Sequence, residues 1–596
     1  MNGCSVSTKI GDSLSPIEES AAQSETVDAI DDLDETIEEF VEDIILDELL
    51  EESEDDLVPS YTQDDLIDFD IDTAFDYCDS LTCNIVKKQN EAGADDDDAT
   101  ENDNQFEIEL GLGFDKGIPK SDDDMIYMFE LEGYEADGST ELKKPVAEAP
   151  KDWEVSIRVP YSDKKLFSRF FPALKCGGQF IPLAYGQYIT NPEVIAANSD
   201  EYPDIKSKKG LLLDANTLGT DRLSDLNVKR IVYNIPLSFV IGETDSPVYP
   251  TIEYEYNGHV YHFNGYLCAG FDSLFSTLTD QGYHCTAIIL NDWNEECTDI
   301  IHPLSRHKTR KSLYYAFNTE EEAGVNQLEA VAKFLAERYS GGEYGMVYDW
   351  VIANEINQQT IWNYMDTDNI FYYTDSFERS FRVFYNAIKS NYSNAKVYYS
   401  IDHDWNDNNG YNKGFFNGKD LVSTFNHIAT MRGNYDWGLS IHPYPQPLTK
   451  VKFWRGDFDK SEDAPIITPM NLSALTDFLK KEENLNPDGK VREIAVTELG
   501  FSSKPGEMLQ GAAFAYCYKI IEENEYINSF LLNRQTDDKE SLQSGLALGL
   551  YNNDYSKKYI VDVFEKIDSD DCEEYINEML NVVGIDSLEE ALELAR

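Results

Sequence analysis

Residues 350–401 read WVIANEINQQTIWNYMDTDNIFYYTDSFERSFRVFYNAIKSNYSNAKVYYSI. The segment opens on a short apolar run, Trp350–Ala353, and closes on another, Lys396–Ile401. Both have the length and β-branched or aromatic content of a buried strand. Between them, residues 376–390 carry apolar side chains at helical spacing. Strand, helix, strand is the parallel βαβ unit.

Outward from this segment the unit repeats. Further strands are predicted at Gly210–Asp214, Arg230–Ile235, Thr286–Leu290, Trp437–Ile441, Glu493–Thr497 and Ile527–Leu532. Helices are predicted near 270–282, 321–339, 420–430, 471–481 and 508–523, with a closing helix near 556–566. Val248–Phe263 interrupts the order as an inserted hairpin. Eight repeats is the number at which a parallel α/β sheet closes on itself as a (β/α)8 barrel. An open doubly wound sheet would carry a glycine-rich first turn, and none follows strand one, where the chain reads LLLDANTLGTD. The expected fold is therefore α/β, a TIM barrel over 201–568. A small β-rich domain over 106–200 precedes it, with strands near Met125–Leu131, Trp153–Val159 and Phe170–Tyr188.

The chain has 596 residues and a net charge of −65. The excess is uneven, because residues 1–105 hold 34 acidic residues against three lysines. Such a surface repels nucleic-acid phosphates and anionic lipids, and it suits a neutral substrate such as a sugar. Residues 1–27 are expected to be disordered. Residues 28–52 read as an acidic amphipathic helix, and 569–596 as an acidic helical tail. Their apolar stripes are candidate surfaces for self-association or a protein partner. Packing on their own chain is the commoner use of such stripes. Asp95–Asp98 form an acidic run in a linker, without the interleaved ligands of a calcium loop. No apolar run reaches the length of a membrane span. The start, Met1-Asn2-Gly3-Cys4, has no charged and apolar leader pattern, whereas a polymeric glycan substrate would favour an extracellular site. The nine cysteines lack metal spacing and read as buried free thiols.

In a barrel, chemistry sits where the strands end at the C-terminal face. After strand four comes Asn354-Glu355-Ile356-Asn357, and after strand seven comes Glu498. Strand six runs into His442-Pro443-Tyr444, strand five into Asp402-His403-Asp404-Trp405, strand three into Asn291-Asp292-Trp293, and strand eight into Asn533-Arg534-Gln535. Two carboxyl groups on opposite sides of a bond are what glycoside hydrolysis requires. Trp293, Trp362, Trp405 and Trp454 follow strand ends and are candidate sugar platforms. Trp350 and Trp437 open strands and read as packing. The run from Asp402 begins like an EF-hand, but Asp407 stands where glycine is needed and Lys413 where the closing Glu belongs. No GxSxG, Walker loop, HExxH or paired CxxC occurs, so no cofactor and no metal is expected.

IANEIN and VTELGF resemble the two catalytic segments of the large clan of (β/α)8 glycoside hydrolases called clan A. The resemblance spans about 209–566. It implies a retaining glycosidase acting on poly- or oligosaccharides, with Glu355 as acid/base and Glu498 as nucleophile. It also implies that Asn354 bonds the sugar 2-hydroxyl. HPY resembles the clan's His-x-Tyr, placing His442 in the site and Tyr444 beside the nucleophile. Asn291, Trp293, Asn357, Asp402, His403, Trp405 and Arg534 are further candidate substrate contacts. The stretch RFFPALKCGGQFIPLAYGQYITNPEVIA, residues 169–196, resembles the entry segment of a bacterial family of unknown function with a glycosidase-like barrel, and 122–566 as a whole is similar to it. There are two departures from the clan. At the end of strand two the run is YNIPL, with Asn234, where many members carry Arg, and Asn533-Arg534 follows strand eight where many carry Trp. Arg534 is thus a candidate for positioning, or for binding an acidic sugar. A barrel that binds glycan with an idle acid pair, and an interaction protein using its acidic helices, are the alternatives.

Overall fold

The computed structural model describes residues 60–88, 105–137, 144–306, 312–407 and 415–596. The expected disorder of 1–27, the helix of 28–52 and the run Asp95–Asp98 lie outside these residues.

Eight parallel strands close into a barrel in sequential order: Lys209–Leu212, Arg230–Pro236, His284–Leu290, Val347–Ile352, Lys396–Asp402, Gly438–His442, Ile494–Leu499 and Ile527–Leu532. Strand one closes the ring by pairing Gly210 with both Arg230 and Leu531. A Cβ at Gly210 would lie 2.4 Å from Leu531 Cδ2, so the closure needs glycine there. The strands are buried on both faces and therefore read as continuous apolar runs. Val232, Ile288, Val351, Tyr398, Ala495 and Leu531 fill the interior, so the barrel is a packed core and not a pore. Gly438 makes room for the Tyr398 ring, 2.3 Å from where its Cβ would sit.

Two helices begin earlier than the sequence pattern indicates. Asn264 caps Gly265–Asp280 by accepting from Leu267 N–H, and Asn369 caps Ile370–Lys389 by accepting from Tyr372 N–H. Caps extend a helix beyond its apolar stripe. The inserted hairpin is present as Ile252–Tyr256 paired antiparallel with His259–Phe263.

The β-unit comprises two antiparallel sheets. Ser80–Lys87, Phe106–Gly113 and Glu154–Pro160 form one. Met125–Leu131, Ala147–Pro150, Arg169–Cys176, Gln179–Pro182 and Gln187–Tyr188 form the other. Ile108 and Leu110 of the first share an apolar core with Ile126, Met128 and Phe170 of the second. The unit starts earlier than the expected boundary at 106. Ser80–Lys87 buries Cys83 and Ile85 while Thr82 faces out, an alternation that the surrounding acidic residues obscure in the sequence.

Helix Ile370–Lys389 is buried nearly all round. One face packs Phe377 and Phe381 on Tyr399 of strand five. The other meets the β-unit through charge. Asp137 accepts from Arg169 at 2.9 Å and from Arg432 at 3.1 Å, and Arg432 also reaches Asp375 at 2.8 Å. Arg379 pairs with Asp375 at 3.2 Å, and Arg382 with Glu378 at 3.2 Å. Burial alone would raise the Asp137 pKa, but Arg169 and Arg432 hold it below the ordinary carboxylate value. Removing one member of a buried ionic network strands the others, at about 3–5 kcal/mol. Arg432→Met is expected to lower the urea midpoint accordingly. Because the folded pKa of Asp137 is depressed, its contribution is present above its unfolded pKa and lost as pH falls through the folded one. The gap between wild type and variant should therefore close in acid, and a gap independent of pH would refute the linkage.

The tail forms helices Glu573–Val583 and Leu588–Glu593. Met579, Ala591 and Leu592 are buried, and Tyr516 of helix Glu507–Glu523 donates to the Ala591 carbonyl at 2.6 Å. The tail's apolar face thus packs on its own barrel. The eight described cysteines are free. Among the described residues, no helix is long and apolar enough to cross a membrane.

Candidate active site

The end of strand four is strained. Ala353 and Glu355, neither a glycine, take φ of +64° and +38°. Such backbone costs about 1–3 kcal/mol per residue and persists only where its surroundings over-determine it. Here the neighbouring strands hold it. Ala353 N–H donates to the Ile289 carbonyl at 3.0 Å, Glu355 N–H to Ser400 Oγ at 2.9 Å, and Ile356 N–H to the Ser400 carbonyl at 3.0 Å. The result aims the Glu355 side chain at strand six.

There, His442 Nδ1 lies 2.8 Å from Glu355 Oε1, and its Nε2 lies 3.1 Å from Thr497 Oγ1. Thr497 also bonds Ser440 Oγ. On strand seven, Glu498 Oε1 accepts from the Tyr444 hydroxyl at 3.1 Å and from Asn533 Nδ2 at 3.0 Å. One carboxylate oxygen from each of Glu355 and Glu498 and a ring nitrogen of His442 lie within 4.8 Å of one another.

The two acids sit in different fields. Burial raises the Glu355 pKa well above its ordinary value, and the carboxylates of Asp402 and Asp404 push it further, against His403. Burial also raises the Glu498 pKa and the Glu355 carboxyl adds to the rise, while the Tyr444 hydroxyl and Arg534 oppose it. Two donors on Oε1 favour an ionised Glu498. Burial lowers the His442 pKa, which leaves the imidazole neutral.

The remaining expected contacts divide. Asn354 faces the cavity above the barrel core, together with Glu498 and Asn533. Trp293 is half-buried, edge-on to Tyr315 at 5.4 Å. Asn291 Nδ2 donates to the Tyr315 and Ala316 carbonyls, pinning a loop. Asn357 is fully buried and donates to Asp402 Oδ1, while Gln358 Nε2 bridges Asp402 and Asp404 at 2.5 and 2.7 Å. His403 lies 3.6 Å from Asp404. Trp405 is buried, with its indole N–H on the Glu462 carbonyl and its ring edge-on to Phe478, which leaves no face for a sugar. Trp454 packs beside Phe453 and Tyr516. Arg534 is tied to Asp538. Asp402, His403 and Asp404 form a second group with metal-ligand geometry, but both Asp402 oxygens already accept amide donors.

Several site residues had no role in the sequence reading. Asn533 holds the nucleophile candidate, in the motif where Arg534 drew attention. Thr497 directly precedes Glu498. Ser400 and Ser440 carry no motif.

The family model DUF5722, a family of unknown function, matches residues 201–591. The chain belongs to the DUF5722 family. No curated protein matches this DUF5722 member. Among solved structures, a family 39 glycoside hydrolase from Bacteroides cellulosilyticus WH2 is 16% identical, with TM-score 0.40, over 75% of this chain and 78% of that one. A Cellvibrio japonicus xylanase in complex with xylopentaose is 12% identical, with TM-score 0.37, over 85% and 98%. A Dictyoglomus thermophilum β-D-glucuronidase is 11% identical, with TM-score 0.34, over 81% and 68%. At such distances, the function of this DUF5722 member has to be read from its own side chains.

Proposed function

We propose that this chain is a retaining glycoside hydrolase, cleaving O-glycosidic bonds of oligo- or polysaccharides by double displacement. The observation that carries the reading is the carboxylate pair, with oxygens of Glu355 and Glu498 within 4.8 Å in unequal settings: both are raised by burial, but only Glu498 has two hydrogen-bond donors and Arg534 acting against the rise. Retaining enzymes place their carboxyls about 5–5.5 Å apart, and inverting ones about 6.5–9.5 Å apart to admit a water. Environments that hold one carboxyl protonated and the other ionised assign acid and nucleophile.

In the first step, Glu498 attacks the anomeric carbon while Glu355 protonates the departing glycosidic oxygen. The Tyr444 hydroxyl and the Asn533 amide keep the attacking carboxylate oriented. In the second step, Glu355, now ionised, removes a proton from water as that water displaces Glu498. His442 stays neutral throughout and fixes the Glu355 carboxyl by its Nδ1 contact.

The test is the anomer first released. Proton NMR of products from a panel of oligosaccharides and aryl glycosides should show the configuration of the substrate before mutarotation. Release of the opposite anomer would exclude double displacement.

A further inference from the structure

The cavity over the barrel core has a polar rim, and four of its side chains lack protein partners. Asn234, Tyr314, Asn354 and Trp362 line it with Glu498 and Asn533, and all but Glu498 are more than nine-tenths buried. Among the described residues, the side-chain amides of Asn234 and Asn354, the Tyr314 hydroxyl and the Trp362 indole N–H have no hydrogen-bond partner. The rings of Tyr314 and Trp362 stack with their centroids 5.8 Å apart. The polar atoms of these four groups are not sealed in the core but open to the cavity. Four such groups around one cavity mark a place where a ligand's hydroxyls belong.

The charge of the cavity is one-sided. No Lys, Arg or His lines it. The negative field of Asp292 and Glu498 acts on Tyr314, and that of Asp402 and Asp404 acts on Glu355. Arg534 is occupied by Asp538, and His403 faces Asp404. A sugar carboxylate here would meet the Glu498 carboxylate, and the nearest cation, Arg534, is already paired with Asp538.

We propose that the site takes an uncharged glycone, a hexose or pentose rather than a uronic acid, recognised through Asn234, Tyr314 and Trp362. This rests on the glycosidase reading and deepens it. The three groups offer neutral donors, with Asn234 standing at the strand-two end where the clan's Arg is missing.

Binding to the Glu498→Gln variant, measured by calorimetric titration, separates this inference from catalysis. The probes are phenyl glucoside and phenyl glucuronide, phenyl galactoside and phenyl galacturonide, and phenyl xyloside, in both anomeric forms. At least one neutral glycoside should bind, and each uronide should bind about 100-fold more weakly than its neutral partner, because like-charge contacts cost several kcal/mol. Tyr314→Phe and Trp362→Phe in the same background, checked for unchanged melting, should each weaken neutral binding about tenfold by removing one donor. A uronide binding as tightly as its hexoside would overturn the proposal. So would neutral binding untouched by both substitutions, or no neutral binding at all. Neutral glycosides that bind but are never hydrolysed by the wild type would remove the hydrolase reading and leave this one standing.

Discussion

Glu498→Gln is expected to reduce turnover of every glycoside by at least about four orders of magnitude, the scale on which loss of a nucleophile is felt. The amide keeps the shape of the carboxyl and its contacts with Tyr444 and Asn533, but it cannot form the glycosyl ester. Ground-state affinity should change little, so the loss belongs to kcat rather than KM. If wild type and variant prove equally inert on substrates that both bind, the barrel is a glycan binder with an idle acid pair.

Glu355→Gln should behave differently. General acid–base assistance contributes about 10²–10⁴-fold, and it matters most when the leaving alkoxide is basic. Alkyl glycosides and oligosaccharides should therefore lose nearly all activity. Activated nitrophenyl glycosides should be cleaved to the enzyme-bound intermediate and then stall, until added azide releases a glycosyl azide of retained configuration. The pH profile supplies a second readout. Wild-type activity should fall with rising pH as Glu355 loses its proton, above the ordinary carboxylate range because burial, Asp402 and Asp404 raise its pKa. It should fall with declining pH as Glu498 becomes protonated. The Gln variant should keep the acidic limb and lose the alkaline one. A raised folded pKa also means that the ionised Glu355 opposes folding at pH values above it. The variant should consequently melt no lower than wild type in that range, which distinguishes lost chemistry from lost structure. Equal losses on basic and activated leaving groups would exclude the acid/base role.

The barrel was largely legible because its strands are uniformly apolar and its helices periodic, two signals that local sequence carries. Strand eight has the same limits in both descriptions, and the others agree within a few residues. The ends of helices were less legible where an Asn cap lies outside the stripe, as at Asn264 and Asn369. The polar groups crowding the strand ends were also visible, but not what each one touches. Trp405 follows strand five as a platform residue would, yet its ring turns into the core against Phe478. Asn533 and Thr497 owe their positions to neighbours far away in the chain, His442 and Tyr444 among them. Pairings at such sequence separation leave no mark on the residues beside them. The same holds for Arg379, Arg382 and Arg432, whose burial depends on a second unit.

That second unit has a consequence for where the inheritable module begins. The family match opens at residue 201, but the partners that neutralise Arg432 include Asp137, and the carbonyl that accepts from Asn386 belongs to Leu166. A protein cut at the family boundary would carry guanidinium groups shaped for an absent counterpart, along the helix that backs strands four and five. The sheets act as a buttress for the cylinder.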